Sequence, residues 1–207
     1  KGVSAFSCDG ERDREGHCRC VGCVLITVPM PSGYRIMASR HRSNPLGTTP
    51  ADFRFCTRNV GFTVLYAAPE FATAFIETVV RDRFTGRQSC EVAVREITAR
   101  GWPRISMQQD AVLTLVDLRG DGCTRIGVPT DKVNASNHPA SRAFAKAIHA
   151  DHGNVDGVLY GSRLTGEDLY AVFDRSAEKL TSVETGLLED HPKLPDILRS
   201  YGIGLVA

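Results

Sequence analysis

The 207 residues carry 25 Lys and Arg against 24 Asp and Glu, a formal net charge of +1, with 42% hydrophobic and 24% charged residues. That length suits a single domain with its own core, and the balanced charge argues against a direct nucleic-acid partner, because such binders gather a basic excess on one face. No run approaches the roughly 20 apolar residues of a membrane span, and the chain is expected to be cytoplasmic.

In chain order, residues 1–30 read as a tail, rich in Gly, Cys and charge and without periodicity. Four of the seven cysteines, Cys8, Cys18, Cys20 and Cys23, crowd into it beside His17. The spacing Cys18-Arg-Cys20-Val-Gly-Cys23 lacks the paired Cys-x-x-Cys knuckles of common structural zinc sites, so no metal is expected. Residues 21–30 imitate a signal-peptide core, yet Asp9, Glu11, Asp13 and Glu15 stand where a cationic region belongs. The tail therefore reads as a leader of low fold content, with Met30 placed to act as initiator. Cys56, Cys90 and Cys123 are isolated, as suits small buried residues in a reducing compartment.

The folded domain is expected over residues 31–207. Tyr34-Arg35-Ile36-Met37 predicts a short strand, and the turn formers of residues 43–50 predict a long loop. The β-branched and aromatic run 61–67 predicts a buried strand. From 70 to 83, Phe71, Phe75, Ile76, Val79 and Val80 recur at helical spacing, with Gly86 as the stop. Residues 90–97, 105–107 and 111–118 predict strands, with Trp102-Pro103 as a turn between the first two. His138-Pro139 opens a second helix that buries Phe144 and Ile148. Residues 157–160 and 169–173 predict an antiparallel hairpin around Thr165-Gly166. A strand over 179–184 and a short helix from Leu194 to Gly202 complete the chain. Many short strands around a few helices, without regular strand–helix alternation, predict a single α+β domain with central mixed or antiparallel sheets rather than a doubly wound sheet.

No glycine-rich dinucleotide turn, Walker loop, His-Glu-x-x-His or Gly-x-Ser-x-Gly is present. A nucleotide would have to be held by other means. Arg35, Arg54 and Arg58, near strand ends, could pair with a pyrophosphate through their forked donors, although a lone arginine more often serves solubility. Glu77 falls opposite the apolar stripe of its helix. Periodicity leaves it open whether this glutamate faces water or faces a cleft, where it could stabilise a cationic sugar.

Several segments, in order, resemble the RES domain: Tyr34-Arg35-Ile36, Asn44-Pro45-Leu46-Gly47, Arg54-Phe55, Val64-Leu65-Tyr66-Ala67-Ala68 with Ala74-Phe75-Ile76-Glu77, Ala140-Ser141-Arg142-Ala143-Phe144, Asp156-Gly157-Val158-Leu159-Tyr160-Gly161-Ser162-Arg163, and Tyr201-Gly202-Ile203. The resemblance implies a fold like that of the diphtheria-type ADP-ribosyltransferase toxins. It also implies a bacterial toxin that consumes NAD⁺ as co-substrate and is held inactive by an antitoxin with an Xre-like DNA-binding region.

Carried over residue by residue, it implies Arg35, Tyr66 and Glu77 as catalytic residues, with a serine that is either Ser141 or Ser162, Ser141 preferred. The family's Gly-Arg-Trp segment is replaced here by Arg54-Phe55-Cys56-Thr57-Arg58, so that either Arg54 or Arg58 would join Arg35, Tyr66 and Ser162 in holding NAD⁺. Two loops, 43–50 and 121–137, favour a protein as acceptor of ADP-ribose. Water or phosphate as acceptor is the alternative, and a non-catalytic binding module is a further one.

Overall fold

The computed structural model describes residues 21–133 and 138–207, so that the Cys-rich stretch up to Cys20 lies outside the described residues. Strands β1 (Leu25–Val28), β2 (Gly33–Tyr34), β3 (Met37–Ala38) and β4 (Val64–Ala67) lead into helix α1 (Phe71–Phe75). Strand β5 (Glu91–Ala93), helix α2 (Val94–Thr98) and strands β6 (Arg100–Met107) and β7 (Leu113–Asp117) follow. Helices α3 (Gly122–Arg125), α4 (Thr130–Val133) and α5 (Pro139–Asp151) then cross to β8 (Gly157–Gly161), β9 (Asp168–Phe173) and β10 (Leu180–Leu187), and α6 (Leu194–Ser200) and β11 (Gly204–Val206) close the chain.

A five-stranded sheet runs in the order β1-β7-β8-β9-β4, and β10-β6-β2 forms a second sheet in which β3 also pairs with β6. Only the β7/β8 pair of the large sheet is parallel, and the α3 to α5 segment supplies the crossover that a parallel pair requires. Leu65, Leu113, Leu159 and Val172 from the large sheet meet Ile105 and Leu180 of the second in one buried cluster. The opposite face of the large sheet, with Val116, Val158 and Phe173, joins the main core together with Phe71, Phe75 and Ile148 of the helices.

The two sheets are stitched where Tyr34 meets Ala68. Tyr34 N–H donates to the Ala68 carbonyl at 2.7 Å, and Ala68 N–H returns a bond to Tyr34 at 3.0 Å. Gly33 permits the approach, since a Cβ there would stand 2.8 Å from the Ala68 carbonyl oxygen.

Five elements differ from expectation. The chain joins the large sheet at Leu25, which pairs with Val116, six residues before the expected start of the domain at Pro31. The strand expected over 34–37 is broken into β2 and β3, and Arg35 and Ile36 fall in the gap. Trp102 and Pro103 do not turn. They run inside β6, because Pro103 lacks an N–H on the side where its partner strand is interrupted, while its carbonyl there accepts the Arg35 N–H at 3.1 Å. The strand expected over 90–97 stops at Ala93, since its partner β11 offers only Gly204–Val206, and the chain then coils into α2, braced by the Glu96–Arg100 pair at 2.5 Å.

The helix expected to reach Gly86 ends earlier. After Phe75 it widens into a π-helical turn, Ile76–Val80, and stops at Arg81 with φ of 50°, whose N–H bonds the carbonyl of Ile76 five residues back at 2.7 Å.

An aromatic cluster seats the start of α1. His191, 3% exposed, stacks on Phe71 with centroids 3.4 Å apart and meets the edges of Tyr34 and Trp102. Burial, helped by the nearby Lys193 charge, pulls the His191 imidazole down to about 4. His149, stacked on Phe62 at 4.2 Å, is lowered by burial as well. Between about pH 6.5 and 4 the unfolded chain therefore binds more protons than the folded one, so stability falls as pH drops through that window. The loss is expected to be on the order of 2 kcal/mol from His191, measured by urea unfolding at pH 7 and pH 4.5. His191→Phe should remove most of it and leave the smaller His149 contribution. An unchanged difference between the two pH values would show that His191 titrates alike in the folded and unfolded chain.

Candidate active site

Because the stitch fixes Tyr34 beside Ala68, the residue after the first and the residue two before the second stand along one cleft. It has a volume of about 840 Å³, and Arg35, Arg54, Tyr66, Glu77 and Tyr160 all line it. That size falls within the roughly 300–1,000 Å³ of small-molecule sites. Arginines outnumber carboxylates along the walls, which gives the cleft a positive field out of keeping with the balanced charge of the whole chain.

Arg35 leaves the sheet in the gap between β2 and β3. Its Nη1 donates to the carbonyls of Pro45 and Gly47, both at 2.9 Å, and so folds the turn-rich loop against the cleft wall. Nε and Nη2 have no acceptor among the described residues. Burial pulls this guanidinium down to about 10, which leaves it charged at neutral pH.

Tyr66 lies in β4, one residue before its end, and its hydroxyl accepts the N–H of Phe55 at 2.9 Å. Phe53, 40% exposed at the mouth, meets the Tyr66 ring edge-on at 5.7 Å. Burial raises the Tyr66 phenol well above its usual range. Arg54 sits between them and the crossover, with Nη1 donating to the Val133 carbonyl at 2.6 Å and its guanidinium 5.8 Å from the Tyr160 ring centroid.

Glu77 lies on the π-helical turn, partly buried, and its Oε1 accepts the Ser162 hydroxyl at 2.6 Å. Ser162 opens the turn that follows β8. Its Oγ also accepts the N–H groups of Leu164 and Thr165, at 3.1 and 3.0 Å, so its single proton is committed to Glu77. Arg163, next in the chain, is held to Asp82 at 2.5 Å, just past the end of the π turn. The carboxylate is thus positioned by a hydroxyl that is itself positioned by backbone.

Three of the sequence-derived residues do not line the cleft, and of these Ser162, buried behind Glu77, acts on it only through that carboxylate. Ser141 is fully buried at the start of α5 and donates to the Val133 carbonyl at 3.2 Å, outside the lining of the cleft. Arg58, with 74% of its side chain exposed, pairs with Asp52 at 3.4 Å and does not line the cleft, whereas Arg54 does. Tyr160 and Phe53 line it without having been singled out from the sequence. A run buried at every position, such as 157–160, does not reveal which face of the sheet a side chain takes. Among the described residues no three His, Cys, Asp or Glu side chains are grouped as a metal site needs, and no helix is long and apolar enough to cross a membrane.

Residues 32–195 match the RES domain family, and the chain belongs to it. A relative from Sinorhizobium fredii, named Probable toxin y4kH, is 31% identical over 129 residues, which is 61% of this chain and all of that protein. The fold is also similar to a chain of the M. tuberculosis MbcT-MbcA toxin-antitoxin complex, with a TM-score of 0.59 at 16% identity, over 87% of this chain and 94% of that one. The expected single α+β domain of mixed sheets and few helices is the architecture that the chain adopts.

The two loop bonds of Arg35 make a prediction independent of any substrate. Arg35→Met leaves two carbonyls without their donor and should cost about 1–2 kcal/mol in urea unfolding, with faster amide exchange across residues 43–50. Arg58→Met, at an exposed pair, should stay within about 0.5 kcal/mol of the parent. Equal effects of the two variants would remove the structural distinction between these arginines.

Proposed function

We propose that the chain is the toxin of a bacterial toxin–antitoxin pair and that it cleaves the nicotinamide–ribose bond of NAD⁺ and passes the ADP-ribose to an acceptor, with a protein acceptor preferred. The observation that carries this reading is the convergence of Arg35, Arg54, Tyr66 and a Ser162-held Glu77 on one arginine-rich cleft. The family and the toxin relative support it.

The chemistry requires little of the protein beyond charge and position. When the C1′–N1 bond breaks, its electron pair moves onto the pyridinium nitrogen and nicotinamide leaves neutral. The ribose carbon is left cationic until a lone pair of the acceptor forms the new bond at C1′ and the acceptor's proton departs to solvent or to Glu77.

Arg35 and Arg54 supply cationic forks for the pyrophosphate. The Tyr66 ring offers an apolar surface for the nicotinamide. Glu77 provides the negative charge that is worth most as the ribose turns cationic, since a carboxylate held in place by Ser162 needs no reorganisation at that moment. Its second oxygen, Oε2, has no donor among the described residues and is open to a ribose hydroxyl or to an acceptor.

The implied partner is an antitoxin with an Xre-like DNA-binding region, seated over the cleft so that NAD⁺ cannot enter. The positive walls favour an acidic covering segment. The M. tuberculosis structure of similar fold is a toxin-antitoxin complex, which supports such a pairing.

Release of nicotinamide from NAD⁺ tests the reaction. Glu77→Gln should lower it by roughly 100-fold or more while the thermal midpoint stays unchanged. Near-parental turnover in that variant would take Glu77 out of the chemistry. With NAD⁺ labelled in the adenylate half and cell lysate present, label on protein marks transfer, whereas free ADP-ribose or its phosphorylated form marks water or phosphate as acceptor. The two serines separate in the same assay. Ser162→Ala should lower kcat by roughly tenfold, and Ser141→Ala should cost about 1 kcal/mol of stability with turnover kept. The reverse pattern would exchange their roles.

A further inference from the structure

Tyr160 is 6% exposed and lines the cleft with the surface it keeps. Its ring cannot swing. Phe55 packs against it edge-on at 4.9 Å, and the Arg54 guanidinium stands 5.8 Å from its centroid. On β8 it shares the sheet face of Val158, where both belong to the main core.

Its hydroxyl nevertheless has no hydrogen-bond partner among the described residues. The Ser162 hydroxyl, by contrast, donates to Glu77, and the Tyr66 hydroxyl accepts the Phe55 N–H. The Tyr160 hydroxyl oxygen is not among the fully buried side-chain atoms that lack a partner, so it faces the cleft rather than the packed core, and a ligand oxygen there would take the place of water. Burial, and next the charge of Glu77, push the phenol upward, so it keeps its proton and has an uncharged O–H to donate. A rigid donor without a partner, inside a cleft and within electrostatic reach of its carboxylate, is a group waiting for an acceptor atom.

We infer that Tyr160 is a substrate-binding residue whose hydroxyl donates to an oxygen on the nicotinamide-riboside half of the dinucleotide, on the Glu77 side of the cleft. This deepens the reading of the cleft as an NAD⁺ site and rests on it. Tyr66, whose hydroxyl oxygen is held by the Phe55 N–H, offers its ring face, whereas Tyr160, with its ring enclosed, offers its hydroxyl.

Tyr160→Phe removes the one atom and keeps the packed ring. Calorimetric titration of the parent and the variant with carba-NAD⁺, which lacks the ribose ring oxygen and resists cleavage, and with ADP, which lacks the nicotinamide-riboside half, tests the assignment. The expected result is a carba-NAD⁺ affinity weaker by roughly 3- to 10-fold in the variant, with ADP affinity and thermal midpoint unchanged. Equal affinity of both proteins for carba-NAD⁺ would overturn the role of Tyr160 while leaving the NAD⁺ site standing. An equal loss for ADP would overturn it too, because the residue would then act through the shape of the cleft. A parent chain that neither binds carba-NAD⁺ nor releases nicotinamide from NAD⁺ would overturn both readings together.

Discussion

Two backbone hydrogen bonds between Tyr34 and Ala68 hold the small sheet to the edge of the large one, and the geometry of the cleft follows from them. Side-chain contacts alone would let two sheets slide against each other by a residue, since apolar packing is not directional. A reciprocal pair of N–H to carbonyl bonds permits one register. With that register set, Arg35 comes off one sheet and Tyr66 off the other along the same wall, although 30 residues separate them in sequence. Gly33 is part of the constraint, because no side chain fits between its backbone and the Ala68 carbonyl.

The site combines groups fully committed to the protein with groups left available. Ser162 uses its donor on Glu77 and its acceptor capacity on two backbone N–H groups, which fixes one carboxylate oxygen and leaves the other open. Arg35 follows the same logic, one nitrogen folding the loop and the remainder facing no acceptor among the described residues. Such half-engaged side chains are already oriented before a ligand arrives, so less conformational freedom is lost on binding. A pocket built from fully satisfied side chains would be rigid and inert, and one built from unengaged side chains would be mobile.

Much of this was legible in the amino-acid order. Hydrophobic patterning located the buried strand at 61–67, the hairpin at 157–173 and the helix after Pro139, and the α+β class followed from their number and order. What escaped were features decided by partners distant in sequence. Residues 25–28 look like the end of a featureless tail until Leu113–Asp117 offers them an edge to pair with. Trp102-Pro103 looks like a turn until the interrupted neighbour strand removes the need for a proline N–H.

The π turn has no signature in apolar spacing, yet it carries Glu77. On a regular helix Glu77 is a solvated residue opposite the Phe71/Phe75 stripe; with a wider turn the same residue reaches Ser162, 85 positions further on. Ser141 and Ser162 could not be told apart by motif, since both lie in segments that resemble the family. Only the depth at which each side chain sits, and the acceptor it faces, separates them.

The carbonyl of Val133 accepts two donors at once, Nη1 of Arg54 from the cleft wall and the hydroxyl of Ser141 from the first turn of α5. It closes α4, where the unpaired carbonyls of a helix end attract positive charge. One oxygen atom therefore joins the crossover between two parallel strands to the charge balance of the cleft. Lengthening or shortening that crossover would shift the anchor on which Arg54 depends. Variation in the length of that crossover would thus alter how strongly the wall draws an anion, much as moving a fence post changes the tension in a distant wire.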